Sequence, residues 1–309
     1  MDRVEQLRTA LSRGVLICDG GTGTELQALG LPPGMGGEAW NLDASEKVRQ
    51  VHERYLAAGA DLLTTNTFGG TPLALAALGL GERAAAVNRA GARLAREVAG
   101  EDAFVLGDMG PFGGLLEPYG EVTAARAAEA FRLQAAALLE GGADALLVET
   151  MSDPVEAALA VRAARAAGAA LVAATFAFQR VPDGFRTMMG TEVAAAVLAV
   201  RAAGAEVVGA NCGTALSLED YVLLTAELHA AAGTAPVLVQ PNAGSPVLEG
   251  ARIVYRTGPE AFAAAAPRLL AAGARILGGC CGTGPEHVAA LKAALPCGPG
   301  PVVSRGARG

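Results

Sequence analysis

With 309 residues, 52% hydrophobic and 18% charged, the chain has ample material for one well-packed domain. A formal net charge of -7 gives nucleic-acid binding no electrostatic support, and no apolar run reaches the roughly 18 residues of a membrane-spanning helix. Residues 1–6 lack the apolar core of a secretory signal, so a cytoplasmic protein with reduced thiols is expected.

The first predicted element is a helix over 1–13, with Leu7 and Leu11 on one face. Val15-Leu16-Ile17-Cys18 reads as a short buried strand that ends in Asp19-Gly20-Gly21-Thr22-Gly23-Thr24. The Pro- and Gly-rich stretch 30–37 is a loop, and 44–59 is a helix that opens near Ser45 and closes at Gly59. A second strand, 61–65, leads into Asn66-Thr67-Phe68-Gly69-Gly70. A helix over 82–99 precedes a third strand, 104–108, and a long loop, 112–121. Thr123 is placed to cap a helix over 124–140.

The fourth strand, 144–148, ends in Glu149-Thr150, and Pro154 opens the next helix. The fifth strand spans 170–176. After a turn at Pro182-Asp183-Gly184 come a helix over 191–203 and a sixth strand, 206–210, ending in Asn211-Cys212. A helix over 218–232 leads to a seventh strand, 236–240, ending in Pro241-Asn242. A helix over 259–272 leads to an eighth, 274–278, ending in Cys280-Cys281. A helix over 285–295 closes the series. The expected domain runs over 1–296, and 297–309 reads as a flexible tail.

One phrase recurs between helix and strand: Ala58-Gly59-Ala60-Asp61, Gly142-Ala143-Asp144, Ala203-Gly204-Ala205-Glu206, Ala272-Gly273-Ala274-Arg275. Glycine ends the helix and small residues make a tight turn into the strand. About eight such units in roughly 300 residues predict an α/β fold, a single-domain (β/α)8 TIM barrel. A doubly wound open sheet is the alternative. The barrel is preferred because polar or reactive residues follow most of the strands.

The five cysteines include no C-x-x-C pair, which excludes zinc-finger and thioredoxin-type spacing. Cys280 and Cys281 are adjacent between glycines, and adjacent thiols suit a shared soft metal better than a disulfide. Cys212, also at a strand end before glycine, is the third ligand that zinc would need. Three thiolates leave one coordination position open, as in a catalytic site. Zinc there lowers the pKa of a bound substrate thiol, which then attacks an electrophilic carbon. Cys18 reads as core, and Cys297 has no evident role.

The glycine stretch at 19–24 lacks the Lys-Ser/Thr of a P-loop; it fits a carboxylate held by backbone N–H groups or a simple turn. Glu149 ends a very apolar strand and needs a partner, either a substrate ammonium or a buried arginine. Asn242 is a displaceable fourth ligand or a turn former. His52, His229 and His287 fall on predicted helices away from strand ends and read as surface or helix residues.

These motifs together resemble the homocysteine S-methyltransferase family. The residues that carry the likeness are Asp19 to Thr24, Ala58 to Asp61 with Thr65-Asn66-Thr67-Phe68, Glu149-Thr150, Asn211-Cys212, and Gly278 to Thr283 with Pro285-Glu286-His287. The likeness spans about 14–295. It implies a zinc-containing (β/α)8 barrel that transfers a methyl group to the sulfur of homocysteine, forming methionine. Cys212, Cys280 and Cys281 would hold zinc, Glu149 the substrate amino group, and the backbone of Asp19, Gly20 and Gly21 its carboxylate, with Thr65 and Asn242 in the substrate site.

Pro241 to Gly244 and Val254-Tyr255-Arg256 are most similar to the homocysteine-binding module of cobalamin-dependent methionine synthases. That likeness implies methylcobalamin, or a folate-derived methyl, on a partner corrinoid protein. The chain itself has no D-x-H-x-x-G cobalamin signature and no room for a folate barrel. Asp108-Met109-Gly110-Pro111-Phe112 departs from the Gly-Pro-Thr of many of those modules. Trp40 falls where members that use S-methylmethionine, S-adenosylmethionine or betaine carry tryptophan, an aromatic face for an onium methyl; the other reading is packing under the 32–37 loop. Two rival functions stay open: a non-catalytic barrel that docks a thiol or corrinoid partner, and an oxidoreductase or lyase barrel with a phosphate-bearing cofactor.

Overall fold

A computed structural model describes residues 2–32, 34–250 and 252–295, the side chain of Arg252 excepted. Cys297 and the expected tail at 297–309 lie outside the described residues. At the centre are eight parallel strands: β1 (Leu16–Ile17), β2 (Leu62–Thr64), β3 (Phe104–Met109), β4 (Ala145–Met151), β5 (Val172–Phe176), β6 (Val207–Cys212), β7 (Val237–Pro241) and β8 (Ala274–Leu277). They pair in the order β1-β8-β7-β6-β5-β4-β3-β2. A parallel bridge between Cys18 and Leu62 joins β1 to β2 and completes the ring.

Strands buried on both faces need apolar side chains on both, and alternation divides those side chains between two cores. Leu16, Leu62, Phe104, Leu147, Val207, Leu238 and Ile276 share one cluster with Val4, Leu7 and Leu11 of helix α1 (Arg3–Arg13). Helix α1 therefore plugs one end of the barrel. Ile17, Leu63, Val105, Leu146, Val208 and Val239 pack instead into the larger cluster shared with the outer helices.

The recurring Gly-Ala-Asp phrase has a physical basis at that closed end. Gly59, Gly142, Gly204 and Gly273 all adopt left-handed φ values between +97° and +113°, where a side chain would be strained. The acids that follow bind the neighbouring strand. The Asp61 carboxylate accepts Ile17 N–H at 2.9 Å and Asp144 accepts Val105 N–H at 2.8 Å. Lys292 and Arg96 compensate the two charges.

The remaining helices are α2 (Thr22–Ala28), α3 (Trp40–Asp43), α4 (Ser45–Ala57), α5 (Pro72–Ala76), α6 (Ala84–Ala99), α7 (Ala124–Glu140), α8 (Pro154–Ala166), α9 (Val193–Ala203), α10 (Leu218–Ala232), α11 (Pro259–Ala271) and α12 (Pro285–Ala294). Thr123 caps α7 as expected, its hydroxyl accepting Arg126 N–H at 3.2 Å. Four features differ from the sequence reading. Part of the glycine stretch after β1 is helical, forming α2. Two short helices, α3 and α5, stand in stretches read as connections. Antiparallel hairpins join Phe178–Val181 to Gly184–Thr187 and Val247–Glu249 to Arg252–Val254. Finally, all three histidines lie on helices as read, but His52 and His287 are buried and only His229 is exposed. His287 bridges Gly284 N–H (3.1 Å) and Thr257 carbonyl (2.9 Å). No helix among the described residues is long and apolar enough to cross a membrane.

Candidate active site

At the open end of the barrel, residues at the ends of β1, β2, β3, β4, β6, β7 and β8 surround a cavity of about 280 Å³. Cys212 is the last residue of β6, and Cys280 and Cys281 follow β8. Their three sulfurs lie within 4.8 Å of one another. The Cys280 and Cys281 sulfurs are 4.0 Å apart, and both thiols are free. The backbone brings them together: Cys280 N–H donates to Pro241 carbonyl at 2.8 Å, and Ala243 N–H to Cys281 carbonyl at 2.9 Å. Cys212 has a φ of 55°, costly for a side-chain-bearing residue. Tyr221 holds it there by donating its hydroxyl proton to the Cys212 carbonyl.

The donor set tests well for zinc. Zinc–thiolate bonds of about 2.3 Å in a tetrahedron need sulfurs about 3.8 Å apart, close to the spacing present. Two amides direct N–H groups at the sulfurs: Asn242 to Cys212 at 3.7 Å and Asn211 to Cys280 at 3.8 Å. Such donors stabilise thiolate charge. The Cys280 and Cys281 thiols donate to Cys212 and pull its pKa down to about 3, while their own are pushed up, that of Cys281 to about 11.

Asn211 organises the opposite wall. Fully buried at the end of β6, its carbonyl accepts Thr150 N–H (2.9 Å) and the Thr175 hydroxyl (2.7 Å). Its amide donates to Thr150 Oγ1 (2.6 Å) and Glu149 Oε2 (3.0 Å). These bonds hold Thr150 at a strained φ of 59° and aim Glu149 into the cavity it lines. Among the described residues, no arginine pairs with Glu149. Burial, with the nearby Cys212 and Asp19 charges, raises its pKa to about 8.

The other expected site residues fall as follows. Gly20, Gly21 and Thr65 line the cavity. A Cβ on Gly21 would lie 2.6 Å from the Cys280 carbonyl oxygen, so glycine is required for this close approach. The Thr65 hydroxyl is 2.5 Å from that of Thr67 and accepts Asp108 N–H at 2.9 Å. The Asp19 carboxylate lies outside the lining, fully buried, accepting Thr64 N–H at 2.7 Å and the Thr64 hydroxyl at 3.0 Å. Burial raises its pKa to about 7. Asn242 stands behind the thiols, its carbonyl accepting Cys281 N–H at 3.1 Å. Trp40 is absent from the lining, and Lys47 Nζ sits 4.4 Å from its ring centroid.

Sequence reasoning did not single out Asn211, Glu38, Phe68, Asp108 or Gln240 as functional, although the last four line the cavity. Asp108, Asn211 and Gln240 had one available signal, a polar residue at the end of an apolar strand.

Fold and site define a (β/α)8 barrel enzyme whose open end gathers three thiols and several buried acids around a small cavity. The chain belongs to the homocysteine S-methyltransferase family, whose profile matches residues 16–295. It is 35% identical to the methionine synthase of Mycobacterium tuberculosis over 304 residues, 94% of this chain and 25% of that protein. Against the methionine synthase of Mycobacterium leprae it is 34% identical, covering 98% of this chain and 26% of that protein. The chain thus spans about a quarter of the length of these curated relatives. Among solved structures, the metallated homocysteine methyltransferase MmuM from Escherichia coli superposes with a TM-score of 0.77 at 28% identity, covering 94% of this chain and 100% of that one.

Proposed function

We propose that this chain transfers a methyl group to the sulfur of homocysteine and so forms methionine. The observation that carries the reading is the three sulfurs within 4.8 Å of one another on the wall of a cavity that also holds Glu149 and the Gly20-Gly21 backbone. Cys212, Cys280 and Cys281 would hold zinc, which supplies the Lewis acidity that keeps an acceptor thiol ionised at neutral pH. Asn211 and Asn242 orient the sulfurs. Glu149 binds the acceptor's ammonium, the Gly20-Gly21 backbone its carboxylate, and these two anchors point the acceptor sulfur at the thiols. The acceptor's thiol proton leaves to solvent; its sulfur then forms the new S–C bond as the bond from methyl to donor breaks. The free thiols of the site suit a reducing cytoplasm.

The sequence likeness to methionine synthases supports a donor methyl carried on cobalamin by a partner protein. A second reading, a small cationic donor such as S-methylmethionine or S-adenosylmethionine, rests on the lining itself. Among the described residues it contains Glu38, Asp108 and Glu149, no lysine, arginine or histidine, and the ring of Phe68. That environment favours a sulfonium and disfavours a phosphate-bearing cofactor. Similarity to MmuM over that protein's whole length supports a barrel that works alone.

The test is methionine formation by zinc-loaded protein from homocysteine, with methylcobalamin and S-methylmethionine offered in parallel. Turnover with only the first assigns a partner-borne methyl, and turnover with the second a self-sufficient enzyme. Cys281→Ala is expected to lose both zinc and turnover; full activity without zinc defeats the proposal. Failure with every donor leaves the non-catalytic docking barrel.

A further inference from the structure

Two buried side-chain oxygens on the cavity lining have no hydrogen-bond partner, Asp108 Oδ1 and Gln240 Oε1. Both are acceptors. Asp108 is only 6% exposed, and its backbone is fixed on both sides. Its N–H donates to Thr65 Oγ1 at 2.9 Å, and its carbonyl accepts the Thr67 hydroxyl at 2.7 Å and Gln134 Nε2 at 3.3 Å. The strand therefore presents this carboxyl to the cavity with little freedom to turn away. The Glu149 carboxyl lines the same cavity and lies close enough for the two charges to repel. Two acids so close, with no cationic side chain on the lining, are costly to ionise together unless a cation enters between them.

We infer that Asp108 is a second carboxylate for the acceptor's ammonium and sets the site's preference for a thiol that carries an α-amino group. The inference rests on the acceptor proposed above. An ammonium brings one positive charge and three N–H donors, matching the unpartnered oxygen of Asp108 and the carboxylate of Glu149. Asn211 fills a donor role toward Glu149 but reaches no atom of Asp108, so the ligand must satisfy Asp108 itself. A thiol without the amino group leaves the two acids facing each other, and a site with buried polar groups left unpaired rejects such an analogue.

The experiment compares homocysteine with 4-mercaptobutanoate, the same thiol acid without its amino group, by calorimetric binding to zinc-loaded wild type, Asp108→Asn and Asp108→Ser. Zinc content and circular dichroism are recorded for each. Both variants are expected to weaken homocysteine binding about 10- to 100-fold, and 4-mercaptobutanoate binding less than about threefold, so that the preference for homocysteine collapses while zinc content holds. An unchanged preference in a folded, zinc-replete variant overturns the assignment and leaves the acceptor intact. Absence of homocysteine binding by wild type overturns the acceptor itself, and this assignment with it. If Asp108→Asn fails to fold, the smaller Asp108→Ser carries the comparison.

Discussion

His52 shows what a single side chain does outside the chemistry. It is fully buried on α4, and neither ring nitrogen has a hydrogen-bond partner. Burial, with the nearby Arg49 charge, lowers its pKa from 6.5 to about 4. The unfolded chain therefore binds a proton at this residue between about pH 6.5 and pH 4 that the folded chain refuses. Folding stability falls as pH drops through that window, by about 3 kcal/mol in all. Asp19 works in the opposite sense. Its folded pKa is raised to about 7, so its stabilising proton is lost as pH rises from about 4 towards 7. Substituting one residue isolates its share. His52→Leu is expected to exceed wild type in stability, by a margin that widens from pH 7.5 to pH 4.5. Urea unfolding at the two pH values measures it, and parallel profiles would refute it.

Among the strands, β6 carries the closest constraint. Gly209 pairs with Leu238 of β7, and a Cβ at position 209 would lie 1.8 Å from the Leu238 carbonyl oxygen. Gly209→Ala must push β6 from β7, at about 3 kcal/mol for the misfit, and it moves Cys212 away from Asn242. A drop in urea midpoint together with weaker zinc retention is the expected result; a stable variant with unaltered zinc affinity would contradict it. The same strands show what the sequence made legible. Apolar runs between Gly-Ala turns locate all eight strands and the long outer helices, because parallel strands buried on both faces must be apolar throughout. Cys212, Cys280 and Cys281 could be grouped because each stands at a strand end, and a barrel brings those ends to one rim. Asn211, Asp108 and Gln240 stand at strand ends too. Their roles depend on which face the last side chain takes and on partners several strands away, neither of which a linear pattern encodes. Helix α2 was hidden for another reason: Thr22–Ala28 begins inside a glycine-rich stretch and buries only Glu25 and Leu26, too few residues to set a period. The hairpin at 247–254 has three residues to a strand and exposes all of the first, so its apolar Val247 and Leu248 show no alternation between a buried and an exposed face.

The two ends of the barrel are held by different means, and this predicts how the whole molecule responds to metal removal. The closed end has the α1 plug and its apolar cluster, reinforced by Asp61 with Lys292 and Asp144 with Arg96. The open end joins β6 to β8 across β7 through Asn242, which reaches Cys212 and Cys281 from one amide. Zinc on the three sulfurs would add a direct tie between the same strands, and a ligand bound only by the folded state stabilises it by about 4 kcal/mol at a thousandfold excess over its Kd. Chelation is therefore expected to lower the unfolding midpoint while leaving the fold standing on its two hydrophobic clusters. Amide hydrogen exchange should quicken in the segments after β6, β7 and β8 and at the start of α2, whose Gly21 N–H donates to the Thr283 carbonyl at 3.1 Å. Exchange in α1 and in the first residues of β3 and β4 should stay slow. A rise spread evenly over the barrel would mean that the metal supports the entire fold, and no change anywhere would mean that the three thiols do not carry a metal in the folded protein.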